Sequence, residues 1–128
     1  MSKIIVNTEV MGPDFSELVL HELNYEWSRE VVTLASEADL PFGMVLMREA
    51  GEYKPLTEST VESAQKLDGT PVAVLIGAVK ASESAQPGIV IRRGAILNGA
   101  ALKFDASVTT LQADAKLALS DLGIVIKE

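Results

Sequence analysis

Leu67-Asp68-Gly69-Thr70-Pro71-Val72-Ala73-Val74-Leu75-Ile76-Gly77-Ala78-Val79 is the stretch that decides how this chain folds. Asp-Gly followed by Thr-Pro is turn chemistry, because glycine accepts positive φ while proline presets its own φ and offers no N–H to a ladder. The eight residues after Pro71 carry no charge and are rich in β-branched side chains. That is the pattern of a strand buried on both faces. It sets the centre of a mostly β domain. It also holds no group able to do chemistry, so function has to be sought elsewhere in the chain.

Moving outward, Gly43-Met44-Val45-Leu46-Met47 reads as a strand and Ala50-Gly51-Glu52-Tyr53-Lys54-Pro55 as a turn and exit. Residues 56–67 are polar and read as a loop, with a short helical turn at Ser59-Thr60-Val61-Glu62. On the other side, Ser82 to Gly88 reads as a surface loop. Ile89 to Leu97 reads as a strand bent or bulged at Gly94. One helix stands out. Thr109 can cap it, Gln112 completes a capping box, Leu111, Ala115, Leu119 and Leu122 share one face, and Gly123 is placed to end it. Ile124-Val125-Ile126 closes the chain as a last strand.

The first 40 residues differ. They hold three short apolar bursts, Ile4-Ile5-Val6, Leu18-Val19-Leu20 and Val31-Val32-Thr33-Leu34, joined by polar and turn-prone residues. Phe15, Val19, Leu23, Trp27, Val31 and Ala35 recur every four residues, as a helix would have them. The same segment places Leu23, Tyr25 and Trp27 on one face of a strand. β-Branched and aromatic enrichment over Tyr25–Leu34 favours the extended reading.

A chain of 128 residues makes one domain with one sizeable core. There is no cysteine, so neither a disulfide framework nor thiolate metal chemistry is available. No apolar stretch approaches the roughly 20 residues that span a bilayer. Met1 to Val10 lacks a signal-peptide core, so the expectation is a soluble chain that is not exported and has no membrane partner. The formal net charge is −7. Residues 1–43 set Lys3 and Arg29 against eight acidic groups, a net of −6, and the remainder contributes −1. An acidic chain without a basic stripe is a poor nucleic-acid binder, since phosphate neutralisation supplies most of that affinity. The acidic third reads as solvated surface.

Candidates for chemistry are few. His21 is the single histidine, and with no cysteine a zinc site lacks ligands, so no metal is expected. No segment resembles a nucleophile elbow. Gly94 and Gly99 bracket four residues, but Gly99-Ala100-Ala101 stands where a phosphate-binding loop needs Gly-Lys-Ser/Thr. Asp105 and Asp114 are unpaired in sequence and read as surface groups. Arg92 and Arg93 would point to opposite faces of a strand, and one of them is a candidate for pairing with a carboxylate across a subunit boundary. The chain reads as a non-enzyme without a cofactor.

Several segments in order resemble a known family. They are Ser28-Arg29-Glu30-Val31-Val32-Thr33, Pro41-Phe42-Gly43-Met44-Val45-Leu46, Tyr53-Lys54-Pro55-Leu56, Asp68-Gly69-Thr70-Pro71 with its apolar run, Val90-Ile91-Arg92-Arg93-Gly94-Ala95, and Leu119-Ser120-Asp121-Leu122-Gly123-Ile124-Val125-Ile126. Over residues 24–128 the chain resembles the head decoration proteins of tailed phages; residues 1–23 are longer than that pattern.

The resemblance implies a mostly β (α+β) fold: a small β-barrel-like or β-tulip body over 41–128 with one C-terminal α-helix, preceded by an extended, capsid-contacting arm over 1–40. It implies homotrimers bound to the major capsid protein on the outer surface of the expanded virion capsid, after synthesis in the host cytoplasm, where they reinforce the shell against DNA pressure. A β-rich arm suits strand addition, in which main-chain hydrogen bonds supply affinity. The arm residues Asn24, Tyr25, Trp27, Ser28, Arg29, Glu30, Val31 and Val32 are then the capsid contact, with Tyr25 and Trp27 as anchors and Arg29 and Glu30 fixing register by charge. Arg92 and Arg93 are the candidate trimer contacts. Two other readings stay open: a different virion structural or adhesion module, such as a tail or spike component, and a small carbohydrate- or metabolite-binding β domain. The last needs an aromatic or polar cleft, and the six aromatics are spread along the chain.

Overall fold

The computed structural model describes residues 15–35, 39–81 and 84–128. Its centre is a closed five-stranded barrel. The strands are β2 (Arg29–Leu34), β3 (Val45–Glu49), β4 (Glu52–Pro55), β7 (Pro71–Leu75) and β8 (Gln86–Ile91), arranged β2-β4-β3-β7-β8. β3 lies antiparallel to both β4 and β7, and β8 lies antiparallel to both β7 and β2. The β2–β4 seam is parallel and registers through one residue pair, Leu34 with Tyr53.

The Asp68-to-Val79 stretch fills its expected place, with the strand ending at Leu75. Ala73 and Leu75 point into one hydrophobic cluster with Leu34, Leu46 and Val90. Val74 and Ile76 point into a second, with Val45, Ile91, Leu97, Leu119 and Ile124. Every one of these side chains is fully buried. An uncharged run can therefore serve two cores at once, where the chain length led to an expectation of one, because successive strand residues face opposite sides. The first cluster is the barrel interior. The second lies between the barrel wall and an outer layer.

That outer layer is a three-stranded sheet in the order β1-β9-β10, with β1 at Val19–Glu22, β9 at Ala95–Asn98 and β10 at Ile124–Lys127. β1 is antiparallel to β9 and β10 is parallel to it. A parallel neighbour requires a crossover. Residues 99–123 supply it through a 3-10 turn and the helix α2 (Gln112–Ser120), whose Ala115 and Leu119 are fully buried. Gly123 at φ +83 ends the helical segment and turns the chain into β10.

Four expectations are corrected. First, the boundary at residue 40 falls inside the fold. Leu18 and Leu34 are fully buried in the two clusters, Phe15 and Val19 join the second one, β1 pairs with β9, and β2 is a wall of the barrel. Residues 15–35 belong to the body, while residues 1–14, including the Ile4-Ile5-Val6 burst, lie outside the described residues. Second, neither uniform reading of residues 15–35 holds. Residues 15–18 are helical, β1 follows, Tyr25–Ser28 forms the single-turn helix α1, and β2 begins at Arg29. Asn24 breaks the strand by capping α1, its Oδ1 accepting from the Glu26 N–H at 2.9 Å.

Third, residues 56–67 form a hairpin of β5 (Glu58–Val61) and β6 (Ala64–Leu67), with no helical turn. Cross-strand pairing stabilises polar residues that carry little strand signal of their own. Fourth, Thr109 does not cap α2. Glu58, buried at the base of the hairpin, reaches over so that its Oε1 accepts from Thr110 N at 3.2 Å and Leu111 N at 2.9 Å. A carboxylate more than 50 residues away in sequence thus holds the two N–H groups that lead into the helix, at its positive end. Leu122, expected on the buried face, is 37 % exposed.

Candidate functional site

The predicted contact residues converge on the turn between β1 and β2. The turn is built from main-chain bonds: Trp27 N and Ser28 N donate to Asn24 O at 2.9 and 2.8 Å, and Leu23 N donates to Gly94 O at 2.9 Å. The last bond ties the turn to the bend between β8 and β9. Gly94 sits at φ +64, and a Cβ there would run into the six-membered ring of Trp27. Glycine at this position lets the indole lie directly on the backbone. Arg93 Nη1 donates to Trp27 O at 2.5 Å and secures the same edge.

Despite this support the apolar side chains face solvent. Leu23 is 70 % exposed, Trp27 51 % and Tyr25 47 %, and Val31 on β2 is 52 % exposed. Asn24 is exposed at the start of the turn. Single exposed apolar residues are ordinary on a protein surface, but several large ones projecting from one braced turn make it the candidate surface.

The other predicted contacts are turned inward. Ser28 is fully buried and its Oγ donates to Glu22 Oε2 at 2.7 Å. Val32 packs in the barrel interior. Arg29 clasps Glu22 with two bonds, Nε to Oε2 at 2.9 Å and Nη2 to Oε1 at 2.5 Å, and its guanidinium lies 5.0 Å from the Phe15 ring centre and 5.5 Å from that of Tyr25. Burial would push the Glu22 carboxyl up. The hydrogen bonds from Arg29 and Ser28, with the charges of Arg29 and His21, outweigh it and hold the group below its ordinary value.

Glu30 takes both candidate trimer arginines within its own chain. Its Oε1 lies 3.3 Å from Arg92 Nη1, and its Oε2 bonds Arg93 Nη2. Arg92 Nη1 also donates to Tyr53 OH at 2.8 Å, closing the end of the barrel beside the β2–β4 seam. Within the chain, Arg29 ties β2 to β1 through Glu22, and Glu30 ties β2 to the end of β8 through Arg92 and Arg93. Both arginines reach Glu30 within one chain because they follow the end of β8 and β8 lies beside β2.

Sequence reasoning missed Leu23, Gly94 as the seat of Trp27, and Glu22 as the partner of Arg29. The signal available for the turn was the capping asparagine two residues before Glu26. His21 is an exposed residue on β1. Among the described residues no group of three or more histidines and carboxylates is placed to hold a metal, and no helix is long and apolar enough to cross a membrane.

A β barrel with an exposed aromatic turn fits many proteins, but the family model of the bacteriophage lambda head decoration protein D matches residues 8–124 of this one. The chain belongs to that family. No individual curated protein matches it. Family membership makes it a structural component of a phage virion, associated with the capsid and serving in its decoration. The match takes in all of β1, α1 and β2, and so includes the braced turn.

Proposed function

We propose that this protein binds as a homotrimer to the outer surface of the expanded capsid, contacts the major capsid protein through the Leu23–Trp27 turn, and reinforces the shell against the pressure of packaged DNA. Membership of the decoration family supports the setting. The observation that carries the contact is that Leu23, Tyr25 and Trp27 stay largely exposed on a turn held by Gly94, Arg93 and Arg29. Rigid, exposed aromatic residues are the usual anchors of an interface, since little conformational freedom is lost when they are buried. The formal net charge of −7 disfavours DNA as the partner.

Co-sedimentation with purified expanded and unexpanded capsids tests the reading. Saturable binding to expanded capsids alone is expected, with Trp27→Ala weakening it at least about tenfold, the scale of one interface anchor. Binding to neither form would overturn the decoration reading for this chain and favour a tail or spike role. Unchanged binding of Trp27→Ala would remove the turn from the contact.

A further inference from the structure

The β5–β6 hairpin stands apart from the rest of the fold. Among the described residues its two strands pair only with each other. Its base is nevertheless locked. Thr57 Oγ1 donates to Asp68 Oδ2 at 2.5 Å, Asp68 N donates to Thr57 O at 2.8 Å, Glu58 N donates to Ser107 Oγ at 3.2 Å, and the Glu58 carboxylate holds the start of α2. Gln65 Nε2 donates across to Thr60 Oγ1 at 2.8 Å. The tip is Glu62-Ser63, and both residues sit in the left-handed region at φ 51 and 70. Two-residue turns of this kind are filled most readily by Asn-Gly or Asp-Gly. The β3–β4 turn, Ala50-Gly51, places a glycine at one of its two positions, and the β5–β6 tip has none. Beside the tip Val61 is 50 % exposed. A stiff projection with an apolar side chain and a charge at its end is already ordered for contact.

Elsewhere on the chain, between the Pro41-Phe42 segment and the 3-10 turn after β9, lies an open cleft of about 350 Å³. Phe42, Ala100 and Ala101 give it apolar walls, with Lys103 on one rim and Glu17 on another. Lys103 is exposed and has no ion-pair partner among the described residues. The charges complement those of the hairpin: Glu62 at its tip matches Lys103, and Lys66 on β6 matches Glu17.

Resting on the homotrimer reading above, we infer that the hairpin tip of one copy seats in this cleft of the next. Val61 enters the Phe42–Ala100–Ala101 pocket and Glu62 pairs with Lys103. The contact joins two different patches of the same chain, so it is head-to-tail and closes into a ring when the rotation between copies permits. Opposite charges at the rim set the register between copies and make the association sensitive to salt.

Size-exclusion chromatography with light scattering, on the full chain, tests this with a charge swap. The wild type is expected to elute as a trimer. Glu62→Lys and Lys103→Glu are each expected to weaken association at least about tenfold, and the double variant to regain most of it, the pattern of a directly coupled pair. Both residues are exposed, so melting followed by circular dichroism is expected to show all variants folded. A trimeric wild type with single variants that stay equally trimeric overturns the hairpin contact and leaves the homotrimer reading standing. Weakened single variants without recovery in the double also overturn it. A wild type that is monomeric at every concentration tested overturns both.

Discussion

β7 and the segment from β1 to β2 both build walls of this fold, and they are held by opposite means. β7 is secured by apolar burial, with alternate side chains in two separate cores and no ionisable group. The β1–β2 segment threads the same two cores with Leu18 and Leu34, but between them it carries two ionic clasps, Glu22 with Arg29 and Glu30 with Arg92 and Arg93. The comparison teaches that the surface-bearing part of the molecule is positioned by polar contacts. Its apolar side chains are thereby left free to face outward.

The largest test of that contrast is truncation. Removing residues 1–35 deletes β1 and β2 and opens the barrel, so no cooperative thermal transition is expected by circular dichroism. A normal transition would mean that the segment is an appendage after all. Next is Leu75→Ala, which leaves a cavity in the barrel interior. The cost is about 3 kcal/mol, a fall in melting temperature on the order of 10 °C.

Glu22→Gln should cost less, about 2 kcal/mol, because it leaves the largely buried Arg29 without its carboxylate. It also has a pH signature. The folded-state carboxyl of Glu22 lies below its ordinary value of about 4.5, so its contribution is fully present above that pH and is lost as pH falls through the lower, folded value. Melting curves of wild type and variant should therefore differ at neutral pH and converge as the pH falls below the lowered, folded value. A gap that persists in strong acid would show that Glu22 acts by packing alone. Smallest is Glu58→Ala, which removes the acceptor of the Thr110 and Leu111 N–H groups ahead of α2 at a cost of about 1 kcal/mol, read as a shifted denaturation midpoint and faster amide exchange at Thr110 and Leu111.

What could be read from the residues follows the same divide. The apolar run after Pro71, the strand at Val45, the bend at Gly94 and the Ala115–Leu119 face of the helix were legible because their signals are local: spacing, turn chemistry and absence of charge. The integration of residues 15–35 was not, since the ion pairs of Glu30 join groups 62 and 63 positions apart, beyond the reach of any pattern in a short window, and only the Glu22–Arg29 pair is local. The start of α2 was misread for the same reason: Thr109 is adjacent, but Glu58 is the residue that holds the backbone leading into it. Of the candidate surface, the aromatic pair Tyr25 and Trp27 was picked by residue type. Ser28 and Val32 were assigned to it by proximity in sequence, although the end of α1 and the alternation along β2 turn them inward.

The pairing of β2 with β8 also has a consequence during synthesis. The barrel cannot close until Ile91 has left the ribosome, about 60 residues after Arg29, its partner in the register; at common elongation rates the wait is several seconds. Through that interval β2 has no β8 edge to lie against. Its exposed groups are then Arg29, Glu30 and Thr33 interleaved with valines, and the two charges oppose premature pairing with other nascent strands. The charged residues that clasp the finished wall also keep its unfinished edge soluble.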